Sequence, residues 1–265
     1  MARIPIFILL TLLPALAQTP KIQTLIITGQ NGHDWRATTP LLRQILEDSG
    51  RFEVHVTEEF RGAGPETLAP YDLVVLNYYD KRKPELRWGE RGDAALLDFV
   101  SRGKGLVMYH FSTAAFDGWA EYEKLSGGNW RPNQGHHSAR HDFKVDIKDA
   151  THPITRGMKA VFPQANDELY SNLKWQPTGA FHVLATAWDE HALYHGKARQ
   201  PIPGDGVNQP MMWTLDYGKG HVFATALGHD SDAMKSAGFV ATLARGAEWA
   251  ATGAVTMPLP AELCK

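Results

Sequence analysis

Cysteine is nearly absent: Cys264, beside the last position, is the only one in 265 residues. A lone thiol forms no internal disulfide, so packing alone must hold the fold. Its place in a terminal tail also makes it a poor nucleophile. Charge of one sign is lacking too, because 27 Lys and Arg against 29 Asp and Glu leave a net −2. The charges are dispersed, which gives no reason to expect nucleic acid as a partner. Beyond the first residues there is no apolar run long enough to span a bilayer. There is no Gly-x-Ser-x-Gly elbow. Gly29-Gln30-Asn31-Gly32 lacks the spacing of a dinucleotide loop. Internal repeats and low-complexity linkers are missing, so nothing argues for a second domain.

The first residues have a pattern of their own. Arg3 precedes an apolar run at residues 4–13, broken only by Pro5 and Thr11, and Ala15-Leu16-Ala17 follows. A basic start, a short apolar stretch and small residues at the cut describe a signal peptide over residues 1–17. The run is too short for a membrane anchor. The expected mature chain, residues 18–265, is one exported domain, periplasmic or secreted, with no membrane contact once the leader is gone.

Along the mature chain strands alternate with helices. Residues 22–28, 52–57, 72–77 and 105–109 are short apolar runs of the kind buried on both faces of a parallel sheet. Residues 39–48 and 92–101 carry helical spacing and end at Ser49-Gly50 and Gly103. This order implies an α/β fold, a doubly wound and mostly parallel sheet with helices on both faces. Residues 141–147, 181–187, 211–215 and 221–226 also read as strands, with a hairpin at Gly218-Lys219-Gly220. Residues 234–251 form a closing helix, and His152-Pro153 reads as a turn that opens a short helix.

Ligands of such sheets sit beyond the carboxyl ends of the strands. Three of the twelve histidines fall there: His33, His110 and His229. Imidazole ligates metals and moves protons near neutral pH. The three together could hold a divalent ion, zinc or similar, whereas each alone reads first as a hydrogen-bonded structural residue. Asp167-Glu168 and Glu121 supply carboxylates. Glu168 and Glu121 are candidates for acid/base work beside His110, and both also read as solvated side chains. Trp35 and Trp119 suit stacking on a sugar ring or burial in the core. His136-His137, Asp167 and Tyr170 complete the candidate substrate contacts.

Taken jointly, Thr28-Gly29 with His33 and Trp35, the strand-end His110, Asp167-Glu168-Leu169-Tyr170 and Leu227-Gly228-His229 resemble the ThuA-like, trehalose-utilisation family. The resemblance covers roughly residues 21–253. It implies a flavodoxin-like fold related to class I glutamine amidotransferases. In those enzymes the turn after the equivalent strand carries a cysteine; here it carries His110. Glutamine hydrolysis by a thiolate is therefore not expected. The resemblance implies a small-molecule carbohydrate as partner and an enzyme acting on a glycoside or a 3-keto-glycoside by acid/base elimination or hydrolysis, metal-assisted or not, with 3-keto-glycoside processing as the expected activity. The alternative is a sugar-binding protein of the same fold without catalysis. A homo-oligomer is left open.

Overall fold

The computed structural model describes residues 20–194 and 206–265, so the expected leader at residues 1–17 lies outside the described residues. The apolar runs become strands β1 (Ile22–Ile27), β2 (Phe52–Thr57), β3 (Leu73–Leu76) and β4 (Gly105–Tyr109). β3 and β4 are buried at every residue, which is why their sequences do not alternate. The strand Gly220–Thr225 pairs in parallel with β4, so β2, β1, β3, β4 and Gly220–Thr225 form a parallel block. Four antiparallel strands extend it in the order Asn208–Tyr217, His182–Trp188, His141–Ile147 and Val161–Asp167. Gly218 and Lys219 join Asn208–Tyr217 to Gly220–Thr225 as the expected hairpin.

Helices cover both faces. α1 (Trp35–Asp48), α2 (Pro65–Leu68), α3 (Glu90–Ser101), α4 (Ala120–Ser126) and α5 (Ala237–Thr252) divide between them. Leu42, Leu46, Phe239 and Leu243 from α1 and α5 meet Ile26, Val75 and Val107 on one face. Leu68, Leu96 and Tyr122 from α2, α3 and α4 meet Ile27, Val74 and Met108 on the other. Alternate residues of each strand thus feed two separate cores. Each fully buried large apolar side chain contributes roughly 1.5–3 kcal/mol to holding the helices on the sheet. This is the α/β, flavodoxin-like architecture the sequence implies.

Four elements differ from the sequence reading. α1 begins at Trp35 rather than at residue 39, because the Asp34 carboxylate accepts from Ala37 N–H and caps it there. The closing helix is split: a 3₁₀ turn at Ala233–Lys235 precedes α5. His152 starts no helix; Thr155 and Arg156 both bond back to its carbonyl and the chain then leaves as turns. Val161–Asp167 is a strand that the sequence reading left out. Pro163 disguises it, yet proline is tolerated because this is the edge of the sheet.

Candidate functional site

The carboxyl ends of β1, β3, β4 and Gly220–Thr225 open on one edge of the sheet, and the loops leaving them are tied together by buried polar side chains. Asn31, after β1, donates from Nδ2 to Asn77 Oδ1 at 2.9 Å and accepts His33 N–H at 3.1 Å. Asn77, after β3, donates in turn to the Thr38 and Thr39 hydroxyls of α1 at 3.0 Å each. This Asn31–Asn77 clamp fixes the backbone of His33. Sequence reasoning missed both asparagines. Asn77 had a signal, a single polar residue just past the apolar run of β3, whereas Asn31 lies among the polar residues of a loop and had none.

His110 follows β4 directly, with φ +45. A positive φ is strained for a residue with a Cβ, and such strain persists where the surroundings over-determine it. Here both ring nitrogens are engaged. Nδ1 donates to the Ala226 carbonyl at 2.7 Å, since a carbonyl only accepts. Nε2 is therefore the lone-pair nitrogen, and the Tyr170 hydroxyl donates to it at 2.8 Å. The ring is 1% exposed, and burial, followed by the charge of His33, pushes its pKa well below the usual value. Burial likewise pushes the Tyr170 hydroxyl well above its usual range.

His229 is placed by a buried carboxylate. Asp167 accepts Gly228 N–H at 2.7 Å, His229 N–H at 2.9 Å, Glu168 N–H at 2.8 Å and the Gln164 amide at 2.8 Å. Burial raises its pKa to about 6 despite those donors. The turn also needs Gly228, whose φ is +95 and where a Cβ would stand 2.5 Å from the Phe239 ring. Asp167 was expected to touch substrate. It is instead fully buried and acts on the backbone that carries His229 and Glu168.

Glu168 stands at the centre. Its Oε2 lies 3.0 Å from His229 Nδ1, 3.6 Å from His33 Nε2 and 3.8 Å from His110 Nε2, while Oε1 lies 3.1 Å from His137 Nδ1. Burial alone would raise its pKa, but the imidazoles of His229 and His33, with His110 and His137 close by, outweigh it, and the carboxyl is held well below its usual range. Burial lowers His229, and the Glu168 carboxylate more than reverses this, so its pKa is raised. The three rings cross edge to face, His33 at 4.7 Å from His110 and 4.6 Å from His229. Phe111, Tyr170 and Trp130 wall the group: Phe111 packs on His33, and Trp130 on both Phe111 and Tyr170.

Other expected site residues fall elsewhere. Glu121 on α4 is held by Lys124 at 2.6 Å and by the Tyr217 hydroxyl at 3.1 Å, and does not join the histidines. Trp119 stacks on Tyr122 and packs on Phe116. Trp35 is 7% exposed and its ring is covered by the Arg36 guanidinium at 4.1 Å. None of these three presents a free face to a ligand at the cluster. Of the paired histidines, only His137 reaches Glu168. His136 points to Asp189, 3.9 Å away, and packs on Tyr194, because adjacent strand residues face opposite ways.

The donor set fits a divalent cation. One ligand atom from each of His33, His110, Glu168 and His229 lies within 4.8 Å of the others. Neutral imidazoles with one carboxylate suit zinc and similar ions, and bonds of about 2.0–2.2 Å place neighbouring ligands at the separations Glu168 Oε2 shows here. Glu168 Oε2 and His229 Nδ1 are both buried and neither makes a hydrogen bond. Buried polar atoms in that condition want a partner.

The model of the trehalose-utilisation family, ThuA, matches residues 23–250. The chain belongs to the ThuA family. A ThuA-like protein from Parabacteroides merdae is similar in structure, with a TM-score of 0.80 and 31% identity over 93% of this chain and 95% of that one. A second, from Bacteroides uniformis, has a TM-score of 0.68 and 17% identity over 92% and 97%. A β-galactosidase from Rahnella shares the fold, with a TM-score of 0.55 and 15% identity, over 85% of this chain but 31% of its own. No curated protein matches. In this ThuA-family chain the strained turn after β4 carries an imidazole, and the one cysteine, Cys264, is a free thiol whose backbone pairs with that of Met158, far along the chain from it.

Proposed function

We propose that this ThuA-family protein cleaves 3-keto-glycosides by acid/base elimination followed by addition of water. The observation that carries the reading is the convergence of three strand-end imidazoles on one ionised, buried carboxylate. A ketone at C3 acidifies the C2 proton, and such a proton needs a base and a means of holding the enolate charge.

His110 is the base. Its Nδ1 proton is committed to Ala226, so Nε2 is the nitrogen with a lone pair, which the Tyr170 hydroxyl meets. Its lowered pKa keeps it neutral at pH 7. Tyr170 orients the ring through the same nitrogen and yields that position to the C2 proton. His110 takes the proton, the C1–O bond breaks, and the departing oxygen is protonated. His137 stands at the solvent side for that step, 44% exposed and within reach of Glu168. Water then adds at C1 while the proton returns to C2, which completes hydrolysis. Glu168 is no proton donor, because the surrounding imidazoles hold it ionised.

Of the four donors His33, His110, Glu168 and His229, His110 is kept as the base, which leaves His33, His229 and Glu168 as the residues that would hold a divalent ion. When bound, the ion supplies Lewis-acid polarisation of the ketone and charge for the enolate. His110→Ala is expected to cut turnover of a 3-keto-glucoside by about 10²–10⁴-fold, the usual worth of a positioned base. Steady-state kinetics measure it. Undiminished turnover would remove His110 from the mechanism, and saturable binding by a wild-type chain that releases no product would leave a sugar-binding protein.

A further inference from the structure

A second concave feature lies at the other end of the sheet. It is a cleft of about 850 Å³, within the size range of small-molecule sites. Phe181, Tyr217 and Trp249 line it with rings, and Gln176, His182 and Asp216 with hydrogen-bonding groups. Tyr217 pairs with Gly220, where the Gly220–Thr225 strand starts, and the far end of that strand leads to His229. Six residues at about 3.3 Å each set the cleft on the order of 20 Å from the histidine cluster. A ligand here touches none of the residues proposed to do chemistry.

The carboxylates around the cleft already have partners. His182 Nε2 lies 2.9 Å from Asp149, His221 Nδ1 lies 2.7 Å from Asp216, and Lys124 lies 2.6 Å from Glu121, which also accepts from Tyr217. A charged ligand would have to displace one of these partners to find its own. The pairs also hold their side chains in place, which lowers the ordering cost of binding. The rings are braced in the same way. Phe181 stacks on Trp175 at 5.0 Å, and Trp249 is flanked by His152 at 4.9 Å and His221 at 4.8 Å. Phe181 and Tyr217 are partly exposed, and their apolar rings with donors and acceptors beside them match a neutral polyhydroxylated ring, which has apolar C–H faces and hydroxyls around its rim.

We propose that this cleft is a second carbohydrate site, which binds a neutral oligosaccharide and does no chemistry on it. It gives a place to His152, a lining residue that the reaction leaves unused. The test titrates the whole purified chain with cellohexaose, maltohexaose and xylohexaose, read by tryptophan fluorescence and calorimetry. At least one hexaose should saturate at millimolar concentration or below. Phe181→Ala should weaken it about tenfold, equal to about 1.4 kcal/mol. His182→Ala, a change at a half-exposed side chain, should weaken it in the same direction. His110→Ala should bind as the parent does, which separates this site from the proposed reaction. Failure of all three sugars to saturate by about 10 mM would overturn the proposal, since that marks binding weaker than about 3 kcal/mol. Binding lost in His110→Ala and kept in both cleft variants would overturn it as well.

Discussion

Glu168→Gln is expected to lower turnover of a 3-keto-glycoside by about 10³-fold, equal to about 4 kcal/mol of lost transition-state stabilisation. Glutamine keeps the shape but loses the charge that faces His33, His110, His137 and His229. It also loses an anionic ligand, so the purified variant should retain little divalent metal by mass-spectrometric elemental analysis. The helices and sheet do not depend on this carboxylate, and circular dichroism should match the parent. Turnover within tenfold of the parent would mean that the carboxylate does not serve the reaction.

Asp167→Ala is expected to act through folding as much as through chemistry. Four donors lose their acceptor at once: the backbone N–H groups of Glu168, Gly228 and His229, and the Gln164 amide. A buried donor left unsatisfied costs about 1–3 kcal/mol. Partial refilling by water brings the sum to the order of 3–5 kcal/mol, which lowers Tm by roughly 10 °C in a chain of this size. The Gly228-His229 turn loses its anchor, so activity should fall below what the remaining folded fraction accounts for. A thermal melt and an activity assay below the new Tm separate the two effects. A Tm within about 2 °C of the parent would show that Asp167 does not hold the turn.

Asp167 also illustrates what the sequence could and could not say. Its neighbour Glu168 was legible as a candidate for chemistry, because an acidic pair beside aromatics is unusual. Which of the two faces the ligand depends on the local twist after an edge strand, and residue types alone do not encode it. The strands β1, β3 and β4 were legible because burial on both faces leaves continuous apolar runs. The rule that ligands sit past their carboxyl ends then pointed to His33, His110 and His229. The bond between Tyr170 and His110 joins residues 60 positions apart. It was invisible for that reason, although Tyr170 was itself singled out. The tryptophans misled most. Trp35 and Trp119 sit near turns, as a sugar platform would, but covering the ends of helices against the sheet calls for the same residue type.

His110 leaves the sequence as the residue after a strand. In the structure it is a buried, neutral, strained imidazole with one nitrogen fixed to Ala226 and the other facing Tyr170 and Glu168. Those contacts support the role proposed for it, removal of a proton from the carbon beside a ketone. The most direct test follows C2 of a 3-keto-glucoside by proton NMR during turnover in deuterium oxide. Proton removal at C2 predicts a released 3-keto-sugar carrying deuterium at C2, and loss of both release and exchange in His110→Ala. Release of the sugar with its original C2 proton in place would contradict elimination, and with it the role assigned to His110.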